Sequence, residues 1–239
     1  MFDHVGIRVT DRRASERFYD TVLSVLGKRR VDGDDYTEWA DDFDIGSDGP
    51  PTRNLHIGFY APTHELVDAF HRAGVEAGFA SDGEPGPRPQ YTPEYYGAFL
   101  LDPDGNSIEA VSLEKERKPG QIDHLWLRTT DVARAAAFYA TIAPVVGLEV
   151  RHHSPDHVQL AGDGLSFSFV TGEEPTENVH IAFTARDDAT VDAFHAAALA
   201  VGYRDNGGPG ERRIYHPGYY GAFVLDPDGH NIEAVNHNR

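Results

Sequence analysis

The sequence predicts an α+β fold made of four βαβββ modules, and three observations carry that prediction. First, the chain repeats itself. Phe18-Tyr19 returns as Phe138-Tyr139, Asp68-Ala69-Phe70-His71 as Asp192-Ala193-Phe194-His195, and the segment from Tyr95 to Gly105 as Tyr219 to Gly229 with one change, Leu100 to Val224. The repeat therefore covers almost all of the 239 residues. Second, short segments alternate between apolar and polar residues, which is the period of a half-buried strand. Third, between those segments lie stretches with helical spacing that open on a capping residue and stop at glycine.

Taken in order, Val5, Ile7 and Val9 form an apolar row and leave His4, Gly6 and Arg8 on the opposite face of a first strand. A helix is expected from Asp11 through Ala14, Phe18, Val22 and Leu26 to Gly27, with Thr10 or Asp11 as its cap. Leu55, Ile57 and Phe59 repeat the strand parity against His56, Gly58 and Tyr60. A second helix is expected from Thr63 through Leu66, Val67, Phe70 and Ala73 to Gly74 or Gly78. Asp102-Pro103-Asp104-Gly105 is turn chemistry that joins the last two strands, after which Ile108 and Ala110 face the core and Glu109 does not. The second copy follows the same course, and His152, His153 and His157 fall in what reads as a polar loop around Pro155. The charged run Leu113-Glu114-Lys115-Glu116-Arg117-Lys118-Pro119-Gly120 separates the copies, so two domains are expected, 1–116 and 117–239.

Composition narrows the function. A net charge of -18 at pH 7 opposes binding to nucleic acid or to an anionic membrane surface. No apolar run approaches the roughly 20 residues of a membrane span, and the N-terminus enters a strand at once, so a cytoplasmic protein is expected. With no cysteine, any metal must be held by His and carboxylates. The candidates are His4, His56 and Glu109 in the first copy and His124, His180 and Glu233 in the second. The second His and the Glu are 53 residues apart both times, 56 to 109 and 180 to 233. Two imidazoles and a carboxylate on one strand face are a set that binds divalent ions.

The opening strand with its early His, the His-Ile-x-Phe strand and the closing Leu-Asp-Pro-Asp-Gly-x-x-Ile-Glu-Ala-Val strand resemble the vicinal oxygen chelate superfamily. That superfamily holds glyoxalase I, extradiol ring-cleavage dioxygenases and the bleomycin and fosfomycin resistance proteins. The resemblance spans residues 2–112 and 122–236. It implies two cup-shaped mixed-sheet domains with helices on the convex faces and a metal on each concave face, bound within each copy by its own three residues or, where the modules pair across copies, with His4 joining His180 and Glu233. The glyoxalase-like fourth ligand, a Glu before the second His, is missing: Asp44 and Ser168 stand there. The extradiol-like pattern needs only two His and a Glu, plus an acid–base His and a Tyr. His216 matches that His, Phe223 replaces the Tyr, and Tyr219 or Tyr220 would have to supply the phenol, so His216 and Tyr220 are the expected catalytic pair. Thr92 is the first copy's counterpart of His216.

Arg8 and Arg128 share the face of His4 and His124, where a guanidinium would either grip a carboxylate or enolate or pair with a rim Asp. Trp126, where the first copy has Gly6, either narrows a cup or stacks on a planar substrate. The resulting expectation is a glyoxalase- or dioxygenase-like metalloenzyme, a lyase, isomerase or oxidoreductase, that uses Fe, Mn, Zn or Ni on a small substrate with vicinal oxygens. The rival is a bleomycin-resistance-like binding protein that sequesters a small molecule. Neither nucleic acid nor membrane is an expected partner, and the resemblance allows a homodimer.

Overall fold

The computed structural model describes residues 2–114, 117–118, 120–162 and 165–239. Over these the order strand, helix, three strands occurs four times. The first module is β1 (Phe2–Arg8), α1 (Arg12–Leu23), β2 (Arg30–Asp32), β3 (Tyr36–Trp39) and β4 (Phe43–Gly46). The second is β5 (His56–Tyr60), α2 (His64–Glu76), β6 (Ser81–Pro87), β7 (Tyr96–Leu101) and β8 (Ser107–Ser112). The third is β9 (Ile122–Thr129), α3 (Val132–Val146), β10 (Glu149–Ser154), β11 (His157–Gly162) and β12 (Leu165–Thr171). The fourth is β13 (Val179–Thr184), α4 (Asp188–Ala200), β14 (Arg204–Glu211), β15 (Tyr220–Leu225) and β16 (Asn231–Asn236).

The strands form two eight-stranded mixed sheets, ordered β14-β15-β16-β13-β1-β4-β3-β2 and β10-β11-β12-β9-β5-β8-β7-β6. β5 runs parallel to β8 and β13 to β16, because a helical crossover and a hairpin lie between each pair, while the hairpin pairs are antiparallel. By packing, the chain divides into two compact units, Ile7–Trp126 and Met1–Gly6 with Leu127–Arg239. These divisions fall inside β1 and β9, whereas the sequence repeat breaks in the charged linker.

The helices begin where capping chemistry places them. Asp11 accepts from the amides of Arg13 and Ala14, Thr63 from Leu66, Asp131 from Arg134 and Asp187 from Thr190. α1 stops at Leu23, ahead of the expected Leu26. Gly27 turns left-handed there (φ +80°) and the Lys28 amide returns to the Leu23 carbonyl. The expected loop of histidines is instead a hairpin: His152 and His153 lie on β10 and His157 on β11, with the turn at Pro155-Asp156.

In the unit Ile7–Trp126, α1 sets Tyr19 against Trp39 and Phe43 at ring separations of 5.5 and 4.9 Å. In the other unit, α3 sets Tyr139 against Phe167 and Phe169 at 5.0 and 4.7 Å. Each fully buried ring of this kind contributes about 1.5–3 kcal/mol. The Leu-Asp-Pro-Asp-Gly motif has a structural task here. Asp102 accepts from the amides of Asp104 and Asn106 to close the turn between β7 and β8, and it receives the buried Tyr19 hydroxyl at 2.8 Å. Asp226 repeats this with Asp228, His230 and Tyr139. Among the described residues, no helix is long and apolar enough to cross a membrane.

Candidate metal centres

Strand parity brings all six candidate ligands out of the aliphatic core as expected: Val5, Ile7, Ile57, Ile108, Ile181 and Ile232 are fully buried around them. Of the two groupings, the one found is that across copies. His4 lies with His180 and Glu233, and His124 with His56 and Glu109, each set within one compact unit and with its ligand atoms within 4.8 Å of one another. The reason is strand order. β1 borders β13, and β9 borders β5 with Gly58 opposite His124, so each copy's first His meets the other copy's second His and Glu.

In the first cluster the Nε2 atoms of His4 and His180 are 3.1 Å apart, and Glu233 Oε2 is 3.1 Å from His180 Nε2 and 3.7 Å from His4 Nε2. In the second, His56 Nε2 is 3.1 Å from both His124 Nε2 and Glu109 Oε2, and His124 Nε2 is 3.2 Å from the same oxygen. The far nitrogen of each ring has its own partner. His4 Nδ1 donates to Asp3 and His124 Nδ1 to Asp123, both at 2.9 Å. His56 Nδ1 lies 3.2 Å from Ser107 Oγ, which itself donates to Asp82. His180 Nδ1 lies 2.8 Å from Asn231 Nδ2 and 3.2 Å from the Asn231 carbonyl. With Nδ1 of His4, His56 and His124 turned to acceptors, the Nε2 atoms and a carboxylate oxygen converge on one point in each cluster, the donor set that a divalent cation satisfies.

The carboxylates are fixed with equal care. Tyr95 donates its hydroxyl to Glu109 Oε1 and Tyr219 to Glu233 Oε1, each at 2.7 Å, which leaves Oε2 for the cluster. Glycine makes room for this: a Cβ on Gly97 would lie 2.3 Å from Glu109 Oε1, and one on Gly221 2.6 Å from Glu233 Oε1. Gly58 sits between the ligands of the second cluster, pairing across strands with both Glu109 and His124, and a Cβ there would meet His124 Cε1 at 2.3 Å. Ala182 takes that place opposite Glu233. The sequence signal for these residues was present in Tyr-Tyr-Gly and in His-Ile-Gly and His-Ile-Ala, but it takes the register to interpret it.

The electrostatics follow from burial and pairing. Burial favours a neutral Glu109, yet hydrogen bonds from His124 and His56 and their charge pull its carboxyl down to about 2. Burial likewise opposes charge on His124, and the hydrogen bonds and charges of Asp123 and Glu109 overcome it, raising the imidazole to about 9. Tyr95 and Tyr219 are held far above the ordinary phenol range by burial and by Glu109 and Glu233, so both remain protonated donors at neutral pH.

Other expected site residues lie elsewhere. The Tyr220 hydroxyl donates to Asp192 on α4, and that of Tyr96 to Asp68 on α2, so Tyr219 and Tyr95 are the phenols of the centres. The strand begins at Tyr220, and the residue just before it turns inward. His216 is not among the cluster residues: its Nε2 bonds His237 Nδ1 at 2.8 Å. Asp44 lies on β4 opposite Glu38, outside both clusters. Arg8 pairs with the exposed Asp48 at 2.6 Å, the rim-carboxylate alternative. Trp126 stands opposite His56 in register and 6.3 Å from the Tyr91 ring, which puts it on the face of the second cluster.

Comparison with known proteins agrees with this architecture. Glyoxalase I of Zea mays superposes with a TM-score of 0.68 at 19% identity, over 99% of this chain and 92% of that one. A Bacillus subtilis protein provisionally described as a dioxygenase superposes at 0.68 and 15% identity, over 100% of this chain and 85% of that one. Among curated proteins no sequence matches. The family described as Glyoxalase/Bleomycin resistance protein/Dioxygenase superfamily matches residues 1–110 and again 121–234. With both matches spanning nearly the whole chain, the protein belongs to that superfamily.

Proposed function

We propose that the protein is a metal-dependent enzyme of the glyoxalase or dioxygenase type, with two centres per chain, acting on a small substrate with vicinal oxygens. The observation that carries this reading is the pair of clusters in which every ligand has a dedicated outer partner: Asp3, Asp123, Ser107 and Asn231 for the imidazoles, Tyr95 and Tyr219 for the carboxylates. A protein that only sequesters a small molecule has no need of such support. A divalent ion held there, Fe, Mn, Zn or Ni, supplies Lewis acidity toward two adjacent substrate oxygens. His4, His180 and Glu233 would hold one ion and His56, His124 and Glu109 the other, each carboxylate through Oε2. Tyr95 and Tyr219 keep that oxygen free by holding the other one, and as protonated phenols they are hydrogen-bond donors to a developing oxyanion.

The test is metal content after reconstitution and dialysis. Two equivalents per chain are expected. Glu233→Ala and Glu109→Ala should each remove one, and less than a tenth of an equivalent with every one of Fe, Mn, Zn and Ni would end the metalloenzyme reading. Metal uptake without turnover of any diol, catechol or ketoaldehyde adduct would favour the binding protein instead.

A further inference from the structure

The two centres differ in what stands behind the carboxylate that orients the first His. Asp123, whose Oδ2 receives His124 Nδ1, is ion-paired on its other oxygen by the buried Arg117 guanidinium. Among the described residues, Asp3, the counterpart behind His4, is paired with histidine in place of arginine. It receives His237 Nε2 at 3.0 Å on both oxygens and Thr184 Oγ1 at 3.3 Å. His237 Nδ1 in turn faces His216 Nε2 at 2.8 Å, the two rings being stacked 5.1 Å apart at 17°, and His216 Nδ1 donates to the Pro217 carbonyl at 2.8 Å.

The two ends of this chain are acceptors, Asp3 and the Pro217 carbonyl, so His237 Nε2 and His216 Nδ1 face them as ring N–H donors. At the other centre the Arg117 guanidinium occupies the matching place against Asp123. Tyr219 packs edge-on against both rings, and Glu211 bonds the neighbouring Gly218 amide. Neither histidine exists in the first copy, where the corresponding residues are Thr92 and Leu113. His237 faces Asp3, with His216 behind it, as Arg117 faces Asp123 in the other centre.

We propose that His216 and His237 are a hydrogen-bonded imidazole pair that positions the ligand His4 through Asp3, doing for one centre what Arg117 does for the other. The pair consists of positioning residues, acting on the centre through Asp3. This rests on the metal-centre reading above.

The experiment uses the full chain carrying Glu109→Ala, so that only the His4 centre remains, and follows Co(II) by competition with a chromophoric chelator and by its visible d–d absorption. His237→Ala should weaken Co(II) binding by about 10–100-fold, as loss of an outer partner does, and should alter the d–d band. His237→Arg, which gives Asp3 a guanidinium donor as Asp123 has, should recover most of the affinity. In the reciprocal Glu233→Ala background His237→Ala should change nothing, which controls for misfolding. Unchanged affinity in His237→Ala, or a loss that Arg does not rescue, overturns the positioning role while leaving the metal centres standing. Failure of the parent to bind Co(II) at all overturns the metal-centre reading, and this inference with it. Histidine ¹⁵N chemical shifts in the metal-free chain give an independent result: a His237 ring whose Nε2 carries hydrogen towards Asp3 supports the assignment, and a His237 Nε2 without hydrogen refutes it.

Discussion

At the residue scale, the difference between the two clusters is clearest at one backbone position. Gly58 pairs with both Glu109 and His124, and the His124 ring lies over it where a Cβ would come within 2.3 Å, whereas Ala182 occupies the matching place in the other cluster. Gly58→Ala should therefore displace His124 and cost one of two metal equivalents, while Ala182→Gly keeps both; equal metal content in wild type and Gly58→Ala would show that the ring has another place to go. The charges on His124 and Glu109 set the pH response of the metal-free chain. His124 is raised to about 9, so its contribution to stability is complete below 6.5 and is lost as pH climbs towards 9. Glu109 is lowered to about 2, so its contribution is complete above 4.5 and is lost as pH falls towards 2. The metal-free chain should thus show its highest melting temperature between about 4.5 and 6.5 as far as this pair is concerned, and His124→Gln should flatten the alkaline side. Because the ion must displace the His124 proton, binding at pH 7.5 should release close to one proton at this centre, measurable by calorimetry in buffers of different ionisation enthalpy. Uptake with no proton release would mean that His124 is neutral before the ion arrives.

At the scale of elements, the sequence carries the modules and their faces but not their neighbours. Four βαβββ runs, the caps at Asp11 and Thr63 and the inward parity of Ile57, Ile108 and Ile181 were all legible, because each depends on residues within about one strand or helix of one another. Which strand lies beside β1 is not such a property. His4 and His56 share a parity and a copy, yet strand order takes His4 to His180, more than a hundred residues away. The choice between Tyr219 and Tyr220 was hidden for another reason: period 2 applies only inside a strand, and Tyr219 precedes β15. The crossed grouping makes a prediction on the intact chain. His4→Ala combined with Glu233→Ala strikes one centre twice and should leave one metal equivalent, whereas His4→Ala combined with Glu109→Ala strikes both and should leave none. The opposite pattern would return the ligands to the within-copy grouping. Trp126 offers a spectroscopic reading of the same point. The only other tryptophan, Trp39, is buried against Asp20 and the α1 core, so quenching by a paramagnetic ion should track the centre of His56, Glu109 and His124 and vanish in Glu109→Ala.

For the whole molecule, charge has the widest reach: 39 acidic residues stand against 21 Lys and Arg, a net -18 at pH 7. Some of that acid is locally matched. Arg30, for example, bridges Asp20, Asp32 and Glu16, and Lys28 is tucked onto Asp42. The Arg30 pairs lie towards the surface, where such contacts are each worth little, about 0–1 kcal/mol, and salt weakens them. The unmatched excess acts in the opposite direction, since repulsion among like charges opposes compaction and is screened over about 10 Å at 0.1 M salt and about 3 Å at 1 M. Because the acidic groups outnumber the basic ones by nearly two to one, relief of repulsion should outweigh the weakening of surface pairs. The metal-free chain at pH 7 should therefore melt at a higher temperature in 1 M KCl than in 0.05 M KCl. The Glu109 cluster, with its ligands largely buried, should contribute little to the difference, so Glu109→Gln should shift both melting points together. A melting temperature that falls on adding KCl would mean that the paired charges, not the excess, govern the stability of this fold.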